Sequence, residues 1–226
     1  MEDVIYAQPE TMEEVYQQQE AAIDIAKKDN DEPMIIVWDS VASSPTKAEL
    51  EGEYGDSVMG QHARLMSQGL RKIKGKIKRC NIMAVYINQT REKIGVTFGD
   101  KSNTFGGKAL KFYATVRIEV TMIGKLKKND GADPHGIAVR AVVKKNKVAP
   151  PFKKAEFEIF FDDTGIDHIG ATLDWLKQHE LIGGSQGWYE IKGKNYRRDE
   201  ARDLLYRDEE LLKEIRNLAY SVSAPK

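Results

Sequence analysis

Apolar and polar positions alternate along the first half of the chain in the order expected of an α/β protein. Residues 4–9 (VIYAQP) form a short apolar run closed by proline, which predicts a strand. Residues 11–28 carry apolar side chains at helical spacing, and Thr11 with Glu14 matches a capping box, so this segment predicts a helix. Residues 34–40 (MIIVWDS) are a continuous apolar run, typical of a strand covered on both faces.

A second helix and a third strand follow, and then the pattern changes. Residues 56–80 predict a helix and residues 82–89 (IMAVYINQ) another buried strand, which indicates a mostly parallel sheet. After Gly107 the stronger alternation predicts antiparallel strands that extend this sheet. These strands are predicted at residues 111–124, 136–148 and 155–163.

The end of the chain predicts a small module of its own. A helix is predicted over residues 169–182, a pair of short strands near residues 187–196, and one final helix over residues 199–222. We therefore predict a core domain over residues 1–163 and a C-terminal α+β module over residues 164–226.

The composition is that of a soluble globular protein, with 41% hydrophobic and 31% charged residues among 226. No apolar run approaches the roughly 20 residues that span a bilayer, and the N-terminus lacks the features of a secretory signal. We therefore expect a cytoplasmic protein without a membrane partner. The single cysteine, Cys80, excludes an internal disulfide, and the scattered histidines lack the cysteine partners of a zinc site.

The net charge is zero, but the charges are unevenly distributed. The first thirty or so residues are mostly acidic, whereas residues 64–79 contain a run of basic residues with no acid among them. Such a block is either a solvated helix face or an anion-binding surface, and the sequence leaves both interpretations open.

Polar side chains follow two of the predicted buried strands. Asp39 and Ser40 end one strand, and Asn88 and Gln89 end the other. In open α/β sheets ligands bind beyond the carboxyl ends of the strands, where an aspartate can hold hydrated Mg²⁺ and an amide can contact a γ-phosphate. The alternative for Asp39 is an ordinary helix cap or turn residue.

The segment from Thr90 to Gly107 is too long for a simple connection, since structureless loops beyond about 12 to 15 residues are usually functional or disordered. It has glycines for close backbone approach, the cations Arg91 and Lys93, and one large apolar side chain, Phe98. These features fit a DNA-binding loop or a flexible connection.

Two further patterns concern phosphate binding. The signature G-x-x-x-x-G-K-[ST] of a phosphate-binding loop is absent from the chain. Lys145 and Lys147 stand two apart near a predicted strand end, so both are expected to project to one side and to bind an anion or protect a sheet edge.

Taken together and in this order, these motifs resemble those of the RecA recombinases. Residues 37–73 look like the magnesium-aspartate strand, first DNA loop and following helix of that family, and residues 87–119 like its switch glutamine and second DNA loop. Residues 142–159 look like its inter-subunit lysine segment, and residues 187–196 like part of its small C-terminal domain. The resemblance covers nearly the whole chain.

The resemblance implies roles for individual residues. Asp39 and Ser40 are expected at Mg²⁺, Gln89 at the γ-phosphate of ATP, and Lys145 and Lys147 at the ATP of a neighbouring subunit. Subunit contacts are expected at Lys111, Phe112 and Arg117. Single-stranded DNA is expected at Met59, Gly60, Arg64, Ser67, Arg71, Arg91, Lys93, Ile94, Gly95, Phe98, Gly106 and Gly107.

The resemblance also implies a fold and a function. The expected fold is an α/β RecA-like ATPase core, with an antiparallel extension of a mostly parallel sheet, plus the C-terminal module. The expected function is a helical homo-oligomer that binds single-stranded DNA with ATP and Mg²⁺ and promotes strand exchange with duplex DNA in recombination and repair. The chain departs from the family pattern at Trp38, Asp100 and Ser102.

The part of the family that carries the phosphate-binding loop and the catalytic glutamate has no counterpart before residue 4. The core is therefore expected to be incomplete, and either a separate polypeptide supplies the missing strands or the chain is a piece of a longer protein. DNA-dependent ATP hydrolysis is expected only once that part is supplied. The alternative is a DNA-binding or filament-modulating protein that does not hydrolyse ATP, and a hexameric helicase matches the motifs less well.

Overall fold

A computed structural model describes residues 4–27, 33–53, 60–78, 80–92, 102–104 and 106–223. The chain divides into two compact units, Met1–Ala114 and Thr115–Lys226, each with its own apolar core. The division predicted from the sequence, 1–163 and 164–226, is a different one and stays a prediction.

The first unit contains a short parallel sheet with helices packed on one face. Its strands β1 and β2 pair in parallel, from Met34 opposite Ile82 to Trp38 opposite Tyr86. The bounds of its elements are α1 Met12–Ala26, β1 Met34–Trp38, a 3-10 turn Val41–Ser43, α2 Lys47–Glu51, α3 Gln61–Ile77, β2 Ile82–Tyr86, β3 Thr90–Glu92, β4 Ser102–Thr104 and α4 Ala109–Tyr113.

Helices α1 and α3 build the core of this unit together with one face of the sheet. Tyr16 of α1 lies edge-on to Trp38, with ring centroids 5.5 Å apart, and Trp38 lies 5.6 Å from the ring of Tyr86. Burial raises the pKa of Tyr86 to about 12, so its hydroxyl stays protonated and donates a 2.9 Å hydrogen bond to Oε1 of Gln19. Aromatic and aliphatic side chains therefore join the helices to the strand that precedes Asp39.

The other face of β1 and β2 is apolar and exposed. Ile35 and Val37 of β1 are 61% and 58% exposed, and Met83 of β2 is 56% exposed. A continuous apolar run predicts cover on both faces, but in the described part of the first unit only one face is covered. Each strand alternates between a packed and an exposed side chain, as a strand with one solvent-facing side does.

Three elements of the first unit differ from the sequence prediction. Residues 4–9 form no strand, and Ile5 is 94% exposed, since no described strand pairs with this segment. Helix α3 begins at Gln61, after Gly60 in the left-handed conformation. Residues 109–113 are helical, so the following strand begins at Val116 and not at residue 111.

The second unit joins an antiparallel sheet to the C-terminal module. The strands β5, β6 and β7 are antiparallel as predicted, but in the described part of the chain they form a sheet of their own and are not hydrogen-bonded to β1 or β2. One face of β5 leaves Ile118, Val120 and Met122 exposed. The bounds are β5 Val116–Leu126, β6 Gly136–Asn146, β7 Lys154–Phe160, α5 His168–Gln178, β8 Trp188–Ile191, β9 Lys194–Arg197, α6 Arg198–Arg207 and α7 Glu209–Ser223.

The predicted final helix is in fact two helices, which meet at Asp208. The backbone of Asp208 is extended, and its Oδ1 accepts a 3.0 Å hydrogen bond from the N–H of Leu211 in the first turn of α7. Aspartate side chains favour such caps over helix interiors. No described helix of either unit is long and apolar enough to cross a membrane.

Candidate functional site

The ends of β1 and β2 bring the predicted magnesium and switch residues to one edge of the sheet. The N–H of Ile87 donates to the carbonyl of Trp38 at 3.0 Å, and the N–H of Val41 donates to the carbonyl of Ile87 at 2.9 Å. Asp39 is exposed at this edge, and Gln89 is exposed two residues beyond Ile87. The backbone therefore places the carboxylate and the amide at adjacent strand ends.

Hydroxyl groups and the indole of Trp38 fix the turn that follows Asp39. Ser43 Oγ donates to the carbonyl of Ser40 at 2.9 Å, and Trp38 Nε1 donates to Ser44 Oγ at 3.1 Å. Ser40 is buried, and its Oγ lies 3.3 Å from Ser43 Oγ. Asp39 is exposed to solvent at the start of this turn, as a ligand of hydrated Mg²⁺ must be.

Helix α3 aligns three of the predicted DNA-binding residues. Arg64, Ser67 and Arg71 are three and four residues apart, which places them on one face of the helix. Both arginines are exposed, and Gly60 at the start of the helix accepts a 3.0 Å hydrogen bond from the N–H of Arg64 through its carbonyl. This face is therefore cationic and accessible.

The structure separates the basic block into paired and outward-facing residues. Lys76 lies 3.0 Å from a carboxylate oxygen of Glu20 and 3.1 Å from one of Asp24, both on the acidic helix α1. Lys72 lies 3.9 Å from Glu20. Part of the block therefore neutralises α1, while Arg71 approaches the hydroxyl of Tyr113 at 3.5 Å on another side of α3. The anion-binding interpretation therefore stays a prediction for the basic residues that do not face α1.

An antiparallel ladder closes the base of the predicted second DNA loop. Thr90 pairs with Thr104, Arg91 with Asn103 and Glu92 with Ser102. Because Gln89 directly precedes this ladder, it lies between the sheet edge and the base of the loop. The segment is therefore not an unstructured connection at its ends.

Two glycines after the ladder pack against α3. Gly106 and Gly107 have φ angles of 77° and 74°, which L side chains rarely adopt. A Cβ on Gly106 would lie 2.9 Å from Cγ of Met66, and a Cβ on Gly107 would lie 3.2 Å from Cβ of Ala63. The end of the second predicted DNA loop and the helix after the first one are therefore in direct contact.

Several predicted DNA-binding residues cannot be compared with the structure. Met59, Lys93, Ile94, Gly95 and Phe98 lie outside the described residues. The family departure at Asp100 also lies outside them. For these residues the assignment stays a prediction.

The predicted subunit-contact residues fall into both units. In the first, Lys111 is half-buried on α4 and Phe112 is 73% exposed. In the second, Arg117 of β5 is directly opposite Lys145 of β6. Lys147 lies one residue beyond the end of β6, where its N–H donates to the carbonyl of Thr115, so strand alternation does not relate it to Lys145 as predicted.

Arg117 stands opposite Lys145 on the neighbouring strand, a juxtaposition that the linear sequence does not show. The site also includes contacts of His62, Glu49 and Tyr113, which no sequence motif indicated. The described residues contain no group of three or more histidine, cysteine, aspartate or glutamate side chains that could hold a metal ion.

Comparison with known proteins gives consistent results. A family model, the RecA N-terminal domain, matches residues 1–167. The chain is similar to Protein RecA of Bordetella pertussis, with 43% identity over 217 residues that cover 95% of this chain and 59% of the relative. It is also similar to Protein RecA of Thioalkalivibrio sulfidiphilus, with 41% identity over 228 residues that cover 100% of this chain and 64% of the relative.

A third relative, Protein RecA of Leifsonia xyli subsp. xyli, is 46% identical over 185 residues, or 81% of this chain and 51% of the relative. The chain therefore spans only 51% to 64% of the length of these curated relatives.

Proposed function

Because the chain belongs to the RecA family, we propose that it acts in DNA recombination and repair as part of an ATP-dependent filament on single-stranded DNA. The filament promotes strand exchange with duplex DNA. The observation that carries this proposal is the contact of Gly106 and Gly107 with α3, which brings the ends of both predicted DNA loops together.

Single-stranded DNA binds across the exposed face of α3 and the adjoining glycine turn. Arg64 and Arg71 contact phosphates, and Ser67 donates a hydrogen bond to the backbone between them. The glycines allow the DNA backbone to approach closely. Contacts of this kind position DNA without reading its sequence, as a protein that accepts any sequence requires.

ATP and Mg²⁺ are the proposed cofactors, and the residues present fit part of their site. Asp39 has the donor chemistry and exposure of a ligand to hydrated Mg²⁺, with Ser40 beside it. Gln89 donates or accepts a hydrogen bond at the γ-phosphate and transmits this contact to the ladder that begins at Thr90. The signature of a phosphate-binding loop is absent from these 226 residues, so this chain's own residues account for only part of the proposed ATP site.

We propose that the exposed apolar face of β1 and β2 is covered by the RecA-type segment with the phosphate-binding loop, supplied either by a separate polypeptide or by a longer form of this chain. Ile35, Val37 and Met83 are more than half exposed, and sheets in α/β proteins are normally covered on both faces. In this proposal the core formed by these residues is incomplete, and ATP hydrolysis is expected only when that cover is present.

The filament forms through head-to-tail contacts of Lys111, Phe112 and Arg117, with Lys145 and Lys147 reaching the ATP of the next subunit. Such contacts do not close on themselves and so generate a helix. The exposed ring of Phe112 and the adjacent cations Arg117 and Lys145 support this proposal. Residues 164–226 form the C-terminal module, residues 1–163 belong to the core, and the assembly works in the cytoplasm.

The α3 face is tested by replacing Arg71 with alanine, with Lys72→Ala as the matched control. Fluorescence anisotropy with a labelled oligo-dT is expected to show about fivefold weaker binding for Arg71→Ala, because one phosphate contact is lost. The slope of log affinity against log salt should fall by about 0.7. Lys72→Ala should bind normally, since Lys72 faces Glu20 of α1. Equal losses in both variants would contradict DNA binding on this face.

The trans lysines are tested in an assembly completed with the phosphate-binding segment of a RecA relative. Replacing Lys145 and Lys147 with alanine is expected to lower DNA-stimulated ATP hydrolysis by at least about a hundredfold, because charge on the γ-phosphate is no longer neutralised. Single-stranded DNA binding should be unchanged. If the completed assembly hydrolyses no ATP even with both lysines present, the non-hydrolysing alternative is favoured.

A further inference from the structure

A histidine in the first turn of α3 connects that helix to α1 and α2. His62 Nε2 is hydrogen-bonded to Oε2 of Glu49 on α2, and His62 Nδ1 lies 3.1 Å from Sδ of Met12 on α1. The side chains of His62 and Glu49 are only 15% and 25% exposed, and Met12 is fully buried. We call this group of three side chains the His62 clasp.

Both partners of the histidine are themselves held in place. Glu49 Oε2 accepts a 2.9 Å hydrogen bond from the N–H of Thr46, and Thr46 is almost completely buried. The N–H of Lys47 donates to Oε2 of Glu13 on α1 at 3.0 Å. The His62 clasp therefore connects α3 to a rigid support formed by α1 and α2.

The hydrogen bonds that the ring can donate to its two partners depend on its protonation state. A carboxylate accepts hydrogen bonds strongly and a thioether sulfur accepts them weakly, whereas either neutral tautomer of histidine has only one N–H. The protonated ring donates from both nitrogens and so satisfies Glu49 and Met12 together. Among the described residues, Glu49 of α2 contacts the ring, and Glu13 of α1 contacts the backbone of the same helix α2.

Glu49 is ready to act as the anionic partner. Burial opposes its charge, but the Thr46 N–H and the neighbouring His62 hold the pKa of the Glu49 carboxyl below its ordinary value. The carboxylate is therefore ionised throughout the range in which histidines titrate.

We propose that His62 is a positioning residue for DNA binding, and that protonation of His62 tightens the clasp and so fixes the first turn of α3. This turn begins at Gly60 and carries Arg64. The His62 clasp stabilises the hydrogen bond that the N–H of Arg64 donates to the carbonyl of Gly60 in this turn. The inference rests on the proposed function, because it concerns the DNA-binding face of the same helix.

The test uses the full chain and its variants His62→Ala, His62→Gln and Glu49→Gln, with His179→Gln as the control. His179 is exposed directly after the end of α5 in the second unit, where its ring stacks on Trp175. Anisotropy with labelled oligo-dT is measured between about pH 5.5 and pH 8, across the range in which histidines titrate. In parallel, hydrogen exchange of the Arg64 amide reports the order of the first turn.

At the acidic end of this range, we expect the wild-type chain to bind oligo-dT about fivefold more tightly than the variants at His62 and Glu49 do. At about pH 8, His62→Gln should recover the affinity for oligo-dT that His62→Ala loses, because an amide still donates to Glu49. On acidification, the affinity of His62→Gln should not increase. His179→Gln should keep the full pH response of the wild type. Exchange at Arg64 should slow on acidification only where the clasp is intact.

The possible failures are distinguishable. If the wild type binds oligo-dT but His62→Gln has the same pH response, His62 is not a positioning residue and the proposed function stands. If the wild type shows no oligo-dT binding at any pH, the proposed DNA-binding function is overturned together with the role of His62 in it. Unchanged exchange at Arg64 in His62→Ala would overturn the clasp whatever the DNA result.

Discussion

Replacing Arg198 with methionine is expected to lower the free energy of unfolding of the second unit by about 3 to 5 kcal/mol. Arg198 Nη1 lies 2.6 Å from Oε2 of Glu158 on β7. Its Nη2 lies 3.3 Å from Oδ2 of Asp174 on α5 and 3.4 Å from Oδ2 of Asp167, the N-cap residue of α5. Burial opposes the charge of Arg198, but these three carboxylates together raise the pKa of its guanidinium above the ordinary value. One side chain thus joins the sheet to two helices of the C-terminal module.

The large effect comes from Asp167, which is completely buried. Its Oδ1 caps α5 by accepting the N–H of Gly170 at 2.9 Å, but its Oδ2 has no hydrogen-bond partner and depends on the nearby guanidinium charges. Removing Arg198 leaves this carboxylate buried with only Arg202, at 3.8 Å, to compensate it. An uncompensated buried charge is much more destabilising than the loss of a surface pair.

The measurement is urea unfolding followed by the fluorescence of Trp175 and Trp188, in a Trp38→Phe background that makes the second unit the only emitter. Arg140→Met is the matched control, because Arg140 and Glu156 form a 2.7 Å pair whose side chains are 45% and 47% exposed. The free energy of unfolding of this control should fall by at most about 1 kcal/mol. Adding Asp167→Asn to Arg198→Met should recover part of the loss, and equal effects of both arginine substitutions would contradict this account.

Replacing Gly69 with alanine is expected to destabilise the first unit by about 3 kcal/mol, although alanine favours helices more than glycine does. A Cβ at residue 69 would lie 2.2 Å from Cζ of Tyr16. The ring cannot move aside easily, because Tyr16 lies against Trp38 and its hydroxyl donates a 3.2 Å hydrogen bond to Sδ of Met66. The glycine is therefore part of the packing between α1 and α3.

Gly75 on the same helix is the matched control, since a Cβ there would meet no atom within 4 Å. Gly75→Ala should raise the free energy of unfolding by up to about 1 kcal/mol through helix propensity alone. Urea unfolding followed by Trp38, with Trp175 and Trp188 replaced by phenylalanine, gives both values. Gly69→Ala with Tyr16→Leu should recover much of the loss. If Gly69→Ala stabilised the unit as Gly75→Ala does, the close packing of Tyr16 on α3 would be wrong.

The element types and the family could be predicted because they depend on local pattern. The apolar period of α1, the continuous apolar runs of β1 and β2 and the alternation of β5 to β7 each predicted the element that the structure contains. The motif around Asp39 and the glutamine after β2 indicated the family that the comparisons confirm. Boundaries were less certain: the break at Asp208 depends on one side chain that caps α7.

By itself the sequence determined which segments form helices and strands, which family the chain belongs to, and which polar residues follow the strands. Only the tertiary structure decided which cations of the basic block face α1, that Gly106 contacts Met66, that Arg117 is opposite Lys145, and that His62 meets Glu49. The physical reason is separation along the chain. Periodicity and capping act within a few residues, whereas these contacts join residues from 13 to 56 positions apart and exist only once helices and strands have packed.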